Sequence, residues 1–268
     1  MKNRISNSEL WNLIGTAAAP LIVDVRIAED INTNPTLIPS AVQRDYAQVH
    51  IWAAQFTGRE VVVVCHKGLK LSEGVAAQLR ILGVKARVLE GGNVAWQEAG
   101  LPAVPLAIIP ERRAGKIIWV TRERPKIDRI ACPWLIRRLV DPFAEFLFVE
   151  PSQVRGVAER FNATPFDIDD VFWSHRGETC TFDTMIAEFG LTSPALETVA
   201  QIVRGADTAQ LDLAPQAAGL LAISLGLSKL YDDDLMQLDA GLLIYDALYE
   251  WARSAKSETH NWPSKVIS

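Results

Sequence analysis

Six consecutive residues, Cys65-His66-Lys67-Gly68-Leu69-Lys70, gather a thiol, an imidazole and two ammonium groups around one glycine. They follow Val61-Val62-Val63-Val64, a β-branched run that reads as a strand buried on both faces. Ser72 and apolar residues at helical spacing come next, so the thiol stands where a strand ends and a helix begins. At such a place backbone N–H groups lack intrahelical partners, the helix dipole is positive, and nearby cations act in the same sense. All three effects favour an anion on the sulfur, which makes Cys65 the candidate nucleophile. His66, Lys67 and Lys70 would attract an anionic substrate, and the loop through Gly68 and Leu69 would cradle it with backbone donors. A buried, inert thiol is the competing reading. A cysteine phosphatase would need a wider cradle and an arginine held against the phosphate, and this loop has no arginine.

A second group of candidates lies in the other half of the chain. Residues 116–121 read as a strand, followed by a loop crowded with Arg122, Arg124, Lys126 and Arg129. Pro133 suits the first turn of a helix, which places Cys132 at or near its N-cap, with Asp128, Arg129 and Arg124 beside it. A thiol so placed would be activated by the dipole and the cations together. Farther on, His175, Glu178 and Cys180 lie close in sequence. Cys132, His175 and Cys180, with Asp128 or Glu178, would make a mixed thiolate and imidazole set suited to zinc or another borderline metal. Alternatively, Arg122, Arg124, Lys126 and Arg129 with the helix N-terminus would hold an oxyanion. The third reading is structural: a capping Asp128, a packed Cys132, a surface His175 and solvated cations.

The elements that must position these residues follow from the patterning. A chain of 268 residues with 49% hydrophobic and 22% charged content has room for two cores. Its net charge of -5 argues against a general nucleic-acid or membrane-surface binder. The polar start carries no apolar signal core, no stretch is long and apolar enough to span a bilayer, and three cysteines are too few for a disulfide framework. A cytoplasmic protein with free thiols is expected. A capped helix begins at Ser6 or Ser8, and residues 20–26 read as a buried strand with Asp24 and Arg26 at its end. These two charges either brace a loop near Cys65 or form a solvated ion pair. Residues 28–42 should be irregular, 47–56 helical, 72–82 helical with Gly83 as its cap, and 86–89 a strand. After a tight turn at Glu90-Gly91-Gly92, Asn93 would cap a further helix. Alternating strands and helices predict a parallel-sheet α/β domain over residues 1–105. Pro102, Pro105 and Pro110, with the charged run Glu111-Arg112-Arg113, make 106–115 a linker, 116–256 reads as a helix-rich α+β domain, and 257–268 as a polar tail.

Two resemblances attach to these segments. The cysteine loop, the later Leu89-Glu90-Gly91-Gly92-Asn93-Val94-Ala95-Trp96-Gln97-Glu98-Ala99-Gly100-Leu101-Pro102, and Asp24-Val25-Arg26 together resemble the rhodanese (sulfurtransferase) family. One departure is Leu37-Ile38-Pro39-Ser40-Ala41, where that family usually carries His-Ile-Pro-Gly-Ala. The resemblance implies a rhodanese-like parallel-sheet domain and a persulfide on Cys65, formed from a small anionic sulfur donor such as thiosulfate and passed to a thiol acceptor without any cofactor. The second half, through Trp119-Val120-Thr121-Arg122, Arg124-Pro125-Lys126-Ile127-Asp128-Arg129-Ile130-Ala131-Cys132-Pro133-Trp134, the 175–182 segment and Gly205-Ala206-Asp207, resembles the C-terminal domain of chromate-resistance proteins of the ChrB type. That resemblance implies a link to chromate resistance or chromate-responsive regulation, with chromate as a candidate ligand. In the regulators a different N-terminal domain precedes this one, so nucleic acid is not an expected partner here. Two functions are consistent with both halves. One is a sulfurtransferase whose second domain receives sulfur, senses an oxyanion or contributes thiols. The other is a non-enzymatic sensor of chromate or sulfur stress that uses the loop as an anion-binding module.

Overall fold

A computed structural model describes residues 3–112 and 115–258. Residues 113 and 114 of the expected linker, and the expected tail from residue 259 on, lie outside the described residues. The first half contains strands β1 (Arg4–Ile5), β2 (Leu21–Asp24), β3 (Thr36–Leu37), β4 (Ala41–Gln43), β5 (Glu60–Val64) and β6 (Lys85–Leu89). Its helices are α1 (Asn7–Trp11), α2 (Ala28–Thr33), α3 (Val49–Trp52), α4 (Lys70–Ile81) and α5 (Gly92–Glu98). Five strands form a parallel sheet in the order β1-β6-β5-β2-β4, which puts the valine run of β5 at the centre, buried on both faces. The register sets Asp24 of β2 opposite Val64 of β5, so both strands end at one edge of the sheet. Cys65 and Arg26 leave from that edge.

Period-2 alternation sorts the valines between two cores. Val61 and Val63 pack with Val75, Ala76 and Leu79 of α4 and with Trp52 and Phe56. Val62 and Val64 face the opposite way, into a cluster that also holds Trp134, Leu139, Phe146 and Tyr249 from the second half. The expected helix over 47–56 is broken into two 3₁₀ turns flanking α3, an arrangement that buries Val49, Trp52, Ala53 and Phe56 together. The segment expected to be irregular carries α2, β3 and β4. Strand β3 pairs antiparallel with β7 (Val104–Pro105), so its hydrogen-bond partners come from a distant segment that local sequence does not reveal.

The second half holds β8 (Ile118–Arg122), β9 (Glu145–Val149) and β10 (Thr164–Pro165), parallel in the order β10-β8-β9. Around them lie α6 (Asp128–Leu135), running into a π-helical turn at Ile136–Val140, then α7 (Val154–Phe161), α8 (Thr181–Glu188), α9 (Pro194–Asp207), α10 (Ala217–Leu230) and α11 (Asp234–Glu250). This is the helix-rich α+β region expected. Helices α9 and α11 begin as side-chain capping predicts, with Ser193 Oγ accepting from the Leu196 amide and Asp233 Oδ1 from the Met236 amide. The halves share polar contacts as well as a core. The Ser40 amide donates to Leu139 O (2.8 Å), and Arg253 donates to Asn12 O (2.6 Å). Among the described residues no helix is long and apolar enough to cross a membrane.

Candidate active site and a carboxylate–imidazole cluster

Cys65 is a free thiol held at the end of β5, and only 4% of the residue is exposed. Its Sγ lies 3.1 Å from Ser72 Oγ, which also bonds Leu69 O at 3.1 Å. Ser72 therefore sits inside the first turn of α4, which starts at Lys70, and braces the loop instead of opening the helix. Two left-handed glycines, Gly68 (φ 65°) and Gly92 (φ 61°), meet back to back against the backbone of the cysteine loop. A Cβ on Gly68 would run into Leu89 O and lie 2.9 Å from the Gly92 nitrogen. One on Gly92 would overlap Cys65 O and the Gly68 nitrogen and lie 2.8 Å from His66 O. The closeness lets the Asn93 and Val94 amides donate to Cys65 O and His66 O, each at 3.0 Å. The turn at Gly91-Gly92 is thus the floor of the cysteine loop, and Asn93 lies within α5 instead of capping it. Lys67, Leu69 and Lys70 are exposed, while His66 is half-buried with Nδ1 at 4.0 Å from Asp30 Oδ1.

Asp24 and Arg26 brace the cysteine loop, the first of the two roles expected of them. The Arg26 guanidinium donates to Asp24 (2.8 Å from Nε to Oδ2), to Asn34 O and Asn93 Oδ1 (3.1 Å each) and to Thr36 O (2.6 Å). Both side chains are buried, so the pair is not a solvated one, and the guanidinium's donors are taken up by the protein itself. The chain of contacts runs from Arg26 through Asn93 to the Cys65 carbonyl, and orients the loop from behind.

In the second half, three carboxylates surround one imidazole. His175 Nε2 lies 3.5 Å from Asp128 Oδ2, 3.4 Å from Asp167 Oδ1 and 3.2 Å from Asp207 Oδ2. Asp128 opens α6, Asp207 closes α9, and Asp167 and His175 come from the loops between β10 and α8. The fully buried Asp128 uses Oδ2 to accept from the Thr181 and Phe182 amides at the start of α8 (2.6 and 3.4 Å). Asp167 accepts from Thr181 Oγ1 (2.9 Å) and pairs with Arg122 (3.1 Å) and Arg129 (3.3 Å). Burial, reinforced by Asp207 and Asp167, pushes the Asp128 carboxyl well above the usual range, against the opposing pull of His175. Burial also works to raise Asp167, but hydrogen bonds from His175 and Thr181 with the charges of Arg129 and Arg122 outweigh it and hold that carboxyl low. Bonds to Asp167 and Asp207 push His175 up to about 10, against its partial burial. A pocket of about 810 Å³ lined by Arg122, Arg155, Asp167, Ser174 and His175 opens beside the cluster.

Residues 119–252 match the family model described as ChrB, C-terminal domain. The chain belongs to the ChrB C-terminal domain family. Residues 6–99 match the rhodanese-like domain, so an N-terminal rhodanese-like domain is fused to a ChrB-type domain. The curated Protein ChrB of Cupriavidus metallidurans is 34% identical over 132 residues, which are 49% of this chain and 39% of that protein. The chain thus matches about two fifths of that relative's length. A rhodanese-like domain protein from Staphylococcus aureus is 31% identical, covering 36% of this chain and 91% of that one, with a TM-score of 0.32. A rhodanese-related protein from Thermoplasma volcanium is 22% identical, covering 38% and 97%, with a TM-score of 0.34.

Within the ChrB-type domain the structure corrects several expectations. Helix α6 starts at Asp128, not at Pro133, because Ile127 turns the chain at φ 32° and the Ile130 and Ala131 amides bond back to Ile127 O. Pro133 is consequently interior, and Cys132 is a fully buried core residue away from the helix start. Burial first, then the charges of Asp128 and Asp167, push its thiol well up, the opposite of activation. Cys180 precedes α8 with its Sγ 3.3 Å from Asp183 Oδ2, and burial pushes that thiol up too. The expected Cys132, His175 and Cys180 ligand set is therefore not assembled. The group whose ligand atoms lie within 4.8 Å of one another is Asp128, His175 and Asp207, and Glu178 stays exposed outside it. Nor are Arg124 and Arg129 free for an oxyanion. Arg124 donates to Tyr231 O (2.9 Å) and Ser228 O and fastens its loop to the turn before α11, while Arg129 is spent on Asp167 and on the carbonyls of Arg122 and Glu123. Asp167 and Asp207 were not singled out as site residues, since only folding sets them beside His175. The one sequence signal was the place of Asp207 in the Gly205-Ala206-Asp207 family segment.

Proposed function

We propose that the protein is a sulfurtransferase that forms a persulfide on Cys65 and is tied to chromate or oxyanion resistance through its ChrB-type domain. The observation that carries the reading is the seating of Cys65. A strand-end thiol faces Ser72 Oγ at 3.1 Å on a loop locked against Gly92, with Lys67 and Lys70 exposed at its rim. The lysines would draw in a dianionic donor such as thiosulfate, and the Ser72 hydroxyl, on turning its proton from Leu69 O, can donate to a sulfur anion. The Cys65 thiolate attacks the sulfane sulfur, a new S–S bond forms, and the bond to the sulfonate group breaks with its electron pair leaving on sulfite. A thiolate acceptor or cyanide then attacks the terminal sulfur and releases the Cys65 thiolate. Atoms and electrons balance without a cofactor. Three unpaired thiols suit a reducing cytoplasm, where such donors and acceptors coexist.

The near-complete burial of Cys65 favours a second reading, in which the loop binds an anion without chemistry and the protein reports chromate or sulfur stress. Intact mass after thiosulfate treatment separates the two. Transfer chemistry predicts one added sulfur, lost to cyanide as thiocyanate and absent in Cys65→Ser. An unmodified wild-type mass alongside saturable thiosulfate binding would establish the binding module instead.

A further inference from the structure

We propose that Asp128, His175 and Asp207 bind one divalent first-row transition cation of the manganese, iron(II) or zinc class. Their donor atoms come from α6, the loop before α8, and the last residue of α9, and they converge within 4.8 Å of one another. That convergence is not the only sign of a ligand. Asp128 is fully buried, yet its Oδ1 accepts no hydrogen bond among the described residues. The neighbouring Cys180 thiol lies near enough to favour the ionised carboxyl but is aimed at Asp183. Buried carboxylate oxygens are rarely left without a partner, because the lost hydration is uncompensated.

The charges point the same way. Asp167 is neutralised by Arg122 and Arg129, but the ion-pair contact of Asp128 and of Asp207 among the described residues is His175 alone. One imidazolium facing two carboxylates leaves a net negative site. A divalent cation held by a neutral imidazole and two carboxylates balances the charge. The Thr181 and Phe182 amides fix the Asp128 carboxyl, the kind of outer-layer support metal sites need. His175 is 42% exposed on its side chain and lines the 810 Å³ pocket, so an entry path exists. One nitrogen and carboxylate oxygens disfavour a soft monovalent ion and are less suited to magnesium or calcium than an all-oxygen cage.

The test uses the full chain in a Cys65→Ser background, which removes the rhodanese-like thiol as a competing ligand. After chelator treatment, Mn²⁺, Zn²⁺ and Mg²⁺ are titrated by calorimetry, with bound metal counted by elemental analysis. The expected result is one Mn²⁺ or Zn²⁺ per chain, a Kd at least tenfold higher for Mg²⁺, and at least tenfold weakening in Asp128→Asn and His175→Gln. Because Asp128 is buried and its variant can fail to fold, the half-exposed His175→Gln, checked by circular dichroism, decides the matter. No saturable binding by the parent chain, or equal affinity in His175→Gln, would overturn the site and leave an imidazolium caged by carboxylates.

Discussion

Replacing Gly92 by alanine tests the interlock beneath Cys65. The residue stands at φ 61°, where a side chain costs about 1–2 kcal/mol. Its new Cβ would meet backbone atoms of Cys65, His66 and Gly68, which cannot swing away as a flexible side chain would. The turn must retreat, and with it go the Asn93 and Val94 amide bonds to Cys65 O and His66 O, each contributing about 1 kcal/mol. A loss of about 3–4 kcal/mol follows, a large share of the roughly 5–15 kcal/mol that holds an ordinary domain. Gly74→Ala is the matched control: Gly74 lies inside α4 with nothing within 4 Å of an added Cβ, so it should gain about 0.5–1 kcal/mol from helix propensity. Urea unfolding followed by circular dichroism reads both variants, with the midpoint moving in opposite directions. Gly92→Ala should also fail to take sulfur from thiosulfate, because the loop carbonyls it displaces set the position of Cys65. A Gly92→Ala midpoint equal to wild type would refute the claim that the two glycines define the loop.

Three further outcomes are expected. Ser40→Gly should raise stability by about 0.5 kcal/mol in thermal unfolding, because Ser40 sits at φ 64° and its bond to Leu139 O uses only the backbone. In a Cys65→Ser background, Cys132 and Cys180 should resist alkylation from pH 7 to 9 and react only in denaturant, since burial keeps both protonated; fast native labelling of Cys132 by peptide mass would contradict this. Lys67→Ala with Lys70→Ala should slow sulfur loading from thiosulfate, with the defect shrinking as salt rises; an unchanged salt profile would exclude electrostatic capture.

The two departures from the rhodanese pattern have one structural setting. Leu37, standing where a histidine is usual, is buried in the core that joins the two halves. Ser40, standing where a glycine is usual, keeps the left-handed backbone of a glycine while its amide reaches Leu139 of the ChrB-type domain. Leu37 and Ser40 thus both belong to the region where residues of the two halves pack together. Gly15 marks the same boundary, at φ 81° with room for no Cβ, since one would lie 2.7 Å from the Tyr249 ring.

Local sequence was enough for the parts of the protein whose physics is local. The valine run of β5, the amphipathic α4 with Gly83 beyond its end, and the cationic Cys65 loop between them follow from periodicity, capping and charge. So does the parallel sheet of the first half. Tertiary structure decided what depends on partners far along the chain. It made Arg26 a buried brace and not half of a solvated ion pair, because its acceptors at Asn34, Thr36 and Asn93 are brought to it only by the fold. It made Gly92 the floor of a loop more than twenty residues earlier in the chain. It moved the start of α6 by five residues, from Pro133 to Asp128, and so buried Cys132 and left Asp128 facing His175. Residue types alone favoured thiols as the second site's ligands, since cysteine and histidine are the familiar pair; the burial that only packing can impose removed the thiols and brought carboxylates from α6 and α9 to one imidazole.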